Sequence, residues 1–141
     1  SWTQSFERRF VPSPLVGNSM NGIGRTLAWM KVNAPLGNDQ LLQRCWLAYL
    51  SDDLPTDCVH AAAGFPDEGW YAASLDHSIW FHRQVRADDW HLHDFSCHNF
   101  SGGRGVAIGH LFSIDGVHVA TVAQEVLMRD RRDTQTGDHV V

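Results

Sequence analysis

The sequence predicts an α+β domain in which an antiparallel sheet wraps around one long helix. Three observations predict it. Asn38 to Leu50 carries a helical pattern that is apolar nearly all round. The chain after Gly69 breaks into strand-like segments with turn signals between them and no second helical pattern. At 141 residues it makes about one domain, long enough to bury a core.

Taken in order, Phe6 to Val11 forms a short first strand that Pro12 and Pro14 stop. Ser13 to Gly24, rich in Pro, Gly, Asn and Ser, reads as a loop. Arg25 to Val32 is a second strand, ended by Ala34-Pro35-Leu36-Gly37. In the helix, Asn38 suits the N-cap and Asp39 the positive end of the dipole. Only Gln43 and Arg44 are polar after its first turn, which predicts burial on most sides. Asp52 to Gly69, with Pro55 and Pro66, reads as an irregular link. Four strands follow: Trp70 to Arg83, Trp90 to Phe100, Arg104 to Ile114, and Val117 to Arg129. Asp115-Gly116 signals a hairpin, and Ala87-Asp88-Asp89 a turn. Residues 1–129 make the domain, and 130–141 a polar tail. The hotdog fold, a sheet rolled around one central helix, is the simplest architecture that fits.

A formal charge of −5 with no basic block argues against nucleic acid as a partner. Arg129 to Arg132 is interrupted by Asp130 and reads as solvated. The sequence shows no N-terminal signal pattern and no apolar run long enough to span a bilayer, so the expectation is a cytoplasmic protein without a membrane partner. Cys45, Cys58 and Cys97 are odd in number and lack CxxC spacing. Cys45 and Cys97 lie in apolar segments, which predicts buried free thiols in a reducing compartment.

Several polar residues sit where a plain core would be apolar. Asp76 stands among Leu75, Ile79, Trp80 and Phe81, a costly place for an unused carboxylate. Strand alternation groups it with Ser74, Ser78, Trp80 and His82, against Leu75, His77, Ile79 and Phe81, and leaves the core side open. A pairing of Asp76 with His82 or an Arg is the structural alternative. Gln124 falls in line with Val122, Val126 and Met128, where a buried amide needs partners. A hydrogen bond that pins the sheet and a contact to substrate are equally open there. His91, His93 and Cys97 share a parity that could bind zinc, but no CxxC or HExxH accompanies them. Half-exposed strand histidines are the commoner explanation. Ser101-Gly102-Gly103-Arg104-Gly105 reads as a bend or bulge between strands.

Three blocks together resemble a family. Ser74-Leu75-Asp76-His77-Ser78-Ile79-Trp80-Phe81-His82-Arg83, then Ser101 to Gly105, then Val122-Ala123-Gln124-Glu125 with Met128-Arg129, are similar in order and spacing to the second half of the TesB-like acyl-CoA thioesterase II family. The resemblance covers roughly Phe6 to Arg129. It implies a double-hotdog protein that hydrolyses acyl-CoA to free fatty acid and CoA, with no cofactor beyond the CoA of its substrate. The family's site is an Asp, a Thr or Ser, and a Gln around the attacking water. The Asp carries over onto Asp76 and the Gln onto Gln124. Counting back from Arg104 puts His98 in the hydroxyl position, with Ser96 and Ser101 nearby as alternatives. Asp76 would be the general base, with Gln124 and His98 orienting the water. Backbone N–H groups would hold the oxyanion, the start of the Asn38 helix being one candidate. Only the second hotdog is represented, so the resemblance implies pairing with a second copy or with a first-half chain that covers the sheet edge. A non-catalytic module that binds acyl-CoA or stabilises a partner hotdog is the alternative, and His98 is the feature favouring it.

Overall fold

Alternation of apolar and polar side chains sets the strands of this chain, and a computed structural model describes residues 5–12 and 23–132. The elements in order are β1 (Phe6–Phe10), β2 (Gly24–Val32), α1 (Gln40–Leu50), α2 (Pro55–Ala63), β3 (Trp70–Ser74), β4 (Ser78–Phe81), β5 (His91–Ser101), β6 (Arg104–Ser113) and β7 (His118–Asp130). They build one antiparallel sheet in the order β1-β2-β5-β6-β7-β3, with β4 also on β7. This is the hotdog architecture expected. On β2 every second residue is buried, from Gly24 and Thr26 through Ala28 and Met30 to Val32. That face joins Phe95, Leu111, Val122 and Met128 to Leu47, Leu50, Leu54 and Val59 of the helical layer. Residues 13–22 of the expected loop and 133–141 of the expected tail lie outside the described residues.

The helical layer differs from expectation in three ways. The first helix begins at Gln40, and its cap is Asp39 rather than Asn38: the Asp39 carboxylate accepts from the N–H groups of Leu41 (3.0 Å) and Leu42 (3.4 Å). Nor is α1 buried on most sides. Only Gln43, Leu47 and Leu50 are buried, while Leu41 is 73% and Tyr49 66% exposed. Two glutamines dock this helix by its edge. Gln40 exchanges two 3.0 Å hydrogen bonds with the backbone of Val85. Gln43 accepts from the Ala87 N–H (2.7 Å) and donates to Asp88 (3.1 Å).

The third difference is a second helix inside the expected link. α2 lies across β2, β5, β6 and β7, nested in the sheet. Pro55, read as a breaker, sits in the first turn, where its missing N–H costs nothing. Gly64 at φ 68° closes the helix. The helix backbone comes so near the sheet that a Cβ at Gly24 would lie 2.2 Å from the Cys58 carbonyl oxygen. Only glycine fits there.

The sheet departs from expectation most between Trp70 and Arg83. Trp70 to Arg83 is two strands, not one. Ser74 pairs with Val126 and Ser78 with Ala123, so three residues, 75–77, stand opposite two, 124 and 125. That count is a β-bulge. The glycine-rich join is a two-residue hairpin turn, with Ser101 opposite Arg104 and φ of 59° and 72° at Gly102 and Gly103. The Asp115-Gly116 hairpin forms as expected, with the Ser113 N–H bonded to the Val117 carbonyl at 2.9 Å. β7 runs one residue past the expected boundary, through Asp130. Among the described residues no helix is long and apolar enough to cross a membrane.

Candidate active site

The bulge between β3 and β4 organises the site. Opposite it, β7 still presents the N–H and C=O of Glu125. The Leu75 N–H donates to the Glu125 carbonyl (2.9 Å), and Asp76 Oδ1 accepts the Glu125 N–H (2.7 Å). The carboxylate thus stands where a strand carbonyl would otherwise complete the ladder. Asp76 is exposed, and its Oδ2 takes no hydrogen bond from the described residues. The alternative pairing with His82 is not formed, since His82 Nε2 lies 2.8 Å from Thr121 Oγ1.

Gln124, one residue before Glu125, turns to the inner face and is 1% exposed. Its Nε2 donates to Ser74 Oγ (2.7 Å), and its Oε1 meets His77 Nδ1 at 2.5 Å. His77 Nε2 lies 2.8 Å from Ser51 Oγ, and that hydroxyl donates to the Ala48 carbonyl at 2.7 Å. One hydrogen-bonded chain therefore runs from the end of α1 through His77 to β7. A cleft lined by Tyr49, Asp52, Ser74, Leu75, Asp76 and His77 opens beside it. The C-terminal end of α1, not its N-terminus, reaches this site, and Asp39 already occupies the N–H groups of Leu41 and Leu42.

The other sequence-predicted residues lie elsewhere. Cys97 pairs with Ala107, and Ala107 with Gln124, so Cys97 and Gln124 share the inner face. His98 follows Cys97 at a register shift and is exposed on the outer face. It lines a second cleft with Ser101, Arg104, Val106 and Glu125. Its strand stands two strand spacings, about 10 Å, from β7. Ser96 pairs with Ile108, and Ser101 Oγ accepts from Asn99 Nδ2 at 3.0 Å. Asp76 and Gln124 are therefore brought together around the bulge, while His98, Ser96 and Ser101 make no hydrogen bond to either among the described residues. Glu125 lines the second cleft and gives its backbone N–H to Asp76 of the first. The hydroxyls that meet the network are those of Ser74 and Ser51. Ser74 lay within the stretch the sequence singles out; nothing local marks Ser51.

His91 and His93 correct another expectation, because they are buried rather than half-exposed. Their rings lie 5.0 Å apart. His91 Nε2 and both nitrogens of His93 find no hydrogen-bond partner among the described residues. Burial holds both imidazoles below their ordinary range, His93 well below it, so both are uncharged at neutral pH. Cys97 Sγ turns instead to the Asn99 carbonyl (3.4 Å), and no group of His, Cys, Asp or Glu among the described residues is arranged to hold a metal. All three cysteines are free, but Cys45 is exposed, not buried; burial pushes the thiols of Cys58 and Cys97 up.

Residues 1–128 match the family model described as the acyl-CoA thioesterase C-terminal domain. The chain belongs to that family. Within it, the chain is 40% identical over 132 residues to acyl-CoA thioesterase 2 of Haemophilus influenzae, covering 87% of this chain and 45% of that protein. Human acyl-coenzyme A thioesterase 8 is 32% identical over 106 residues, covering 74% and 33%. Among solved structures, an acyl-CoA thioesterase II from Mycobacterium marinum superposes with a TM-score of 0.78 at 35% identity, over 90% of this chain and 50% of that one. A hotdog-fold protein from Alicyclobacillus acidocaldarius superposes at 0.66 with 22% identity, a likeness of fold alone. This acyl-CoA thioesterase domain spans about half the length, or less, of the relatives it matches.

Proposed function

We propose that the chain is the catalytic C-terminal half of an acyl-CoA thioesterase, hydrolysing acyl-CoA to free fatty acid and CoA. One observation carries the reading: a single bulge ties the Asp76 carboxylate to the residue that follows a buried Gln124 amide, itself bonded at both oxygen and nitrogen. Asp76, with Oδ2 turned to no protein donor, takes a proton from water. The water oxygen attacks the thioester carbonyl carbon, the C–S bond breaks, and the CoA thiolate leaves with the proton Asp76 held. Gln124 orients the reacting groups, and Ser74 supplies the hydroxyl at its amide. His98, on the outer cleft, is the residue whose replacement tests whether a third group acts from there, with Ser96 and Ser101 as its alternatives.

In the same reading the chain pairs with a second hotdog, its own copy or a first-half partner. Exposed Leu41, Leu42 and Tyr49 on α1 and the open sheet edge at β1 support it. Three free cysteines support a reducing, cytoplasmic setting.

The test is release of CoA thiol from short, medium and long acyl-CoAs, with and without a first-half partner. Asp76→Asn keeps the hydrogen-bond acceptor for Glu125 while removing the base, so it should fold normally and lose about 10²–10⁴-fold in kcat. Full activity in Asp76→Asn would overturn the mechanism. Tight acyl-CoA binding without turnover at any chain length would instead establish the non-catalytic module that His98 favours.

A further inference from the structure

The chain of hydrogen bonds behind Gln124 contains more acceptors than a neutral histidine can serve. Ser51 gives its only hydroxyl hydrogen to the Ala48 carbonyl, so the 2.8 Å contact to His77 Nε2 requires an Nε2–H donor. Gln124 gives an amide hydrogen to Ser74, so its oxygen faces His77 Nδ1, and that contact requires an Nδ1–H donor. Both donors exist together only on the imidazolium. A neutral ring forces a rearrangement: either Ser51 turns away from Ala48, or the Gln124 amide flips, donating to Nδ1 and accepting from the Ser74 hydroxyl.

We propose that His77 is a positioning residue: in its doubly protonated form it holds the Gln124 carbonyl, leaving the second amide N–H of Gln124 as the donor offered to the reacting thioester. The proposal rests on the thioesterase reading for its effect on turnover, but the coupling between ring and amide does not. A buried amide bonded on both its atoms is otherwise free to be drawn either way round, and the ring is the group that breaks the tie. A donor aimed at the thioester oxygen stabilises charge as it develops, which the flipped amide, presenting its oxygen, would oppose. The titratable groups lining the cleft with His77 are Tyr49 and Asp52 from the end of α1 and the turn after it, and Asp76 from its own segment; on β7 the Glu125 carboxylate turns to the other cleft, toward Arg104.

Two measurements on the chain test this. In the first, ¹⁵N spectra follow the His77 ring and the Gln124 side-chain amide across pH, in the wild type and in Asp52→Asn, which separates ring titration from the carboxylate in the same cleft. The expected result is that the Gln124 NH₂ signals shift with the same midpoint as the His77 ring. Gln124 signals that ignore the ring's titration overturn the proposal, with or without activity. In the second, CoA release is measured for His77→Ala and His77→Asn. His77→Ala should lower kcat about 10–100-fold with little change in KM, as a loosened orienting group does. His77→Asn keeps an N–H donor toward Gln124 without a titrating ring. It should restore most of the turnover and remove the alkaline loss of activity expected of the wild type when a neutral ring lets the Gln124 amide flip. An unchanged alkaline limb in His77→Asn overturns the proposal. Coupled NMR titrations in a wild type without turnover would leave the positioning role standing and refute the thioesterase reading alone.

Discussion

Replacing His93 by Leu should stabilise the protein, and more so in acid. His93 is 0% exposed, stands opposite Ala28 and Leu111, and neither ring nitrogen has a partner among the described residues. A buried polar group left unpaired costs about 1–3 kcal/mol, and an imperfect hydrophobic swap returns up to roughly 1.5 of that. Near neutral pH the gain therefore centres on about 1 kcal/mol. Acid adds a second effect. The folded-state pKa of His93 lies well below the ordinary 6.5, with burial as the main cause and the neighbouring His91 as the lesser. The unfolded chain thus takes up the proton first. Stability is complete above about pH 6.5 and falls as the pH drops through and below that value. At roughly pH 5, 1.5 pH units below the unfolded pKa at 1.36 kcal/mol each, the wild type should have lost up to about 2 kcal/mol on account of His93. The gap between His93→Leu and wild type should then widen by up to about 2 kcal/mol. Urea denaturation of both proteins at the two pH values measures it. A variant less stable than wild type at neutral pH, or a gap that stays constant in acid, would refute the reasoning.

Three further outcomes follow from the packing. Gly24→Ala drives a Cβ into the Cys58 carbonyl at 2.2 Å; because backbone is the obstacle, it should cost about 1–3 kcal/mol or more in urea denaturation. Asp39→Ala removes the cap of α1 and should cost about 0.5–2 kcal/mol, whereas Asn38→Ala should be nearly silent by the same measurement. Under native conditions a maleimide should label Cys45 within the mixing time of a slow assay, while Cys58 and Cys97 react only after denaturant is added. Equal labelling of all three in the folded protein would contradict the packing of α2 on the sheet.

Much of this was legible in the residues. Period-two alternation in the chain after Gly69 and the Asp115-Gly116 turn determined the antiparallel run, because a pleated strand with one buried face can be written only that way. Asp76 and Gln124 stood out as polar residues in apolar company, and both sit at the bulge. Other features were hidden for identifiable reasons. Pro55 breaks a helix in its interior but suits its first turn, and the difference is position, which composition does not carry. An apolar helix can be covered by its own sheet or left open along one side, and Leu41 and Tyr49 show the second case. Histidines at alternate positions read as half-exposed, yet the sheet's inner face swallows His91 and His93 whole.

By itself, then, the sequence determined the class of fold, the antiparallel strands, and the two residues at the heart of the proposed site, since each leaves a local periodic trace. Only the tertiary structure decided that a three-against-two bulge lets the Asp76 carboxylate complete the β7 ladder. It alone decided that His77 bridges Ser51, 26 positions earlier, to Gln124, 47 positions later. Hydrogen bonds across such separations are set by how α1 and β7 pack against the bulge, and no pattern within a single segment records that packing.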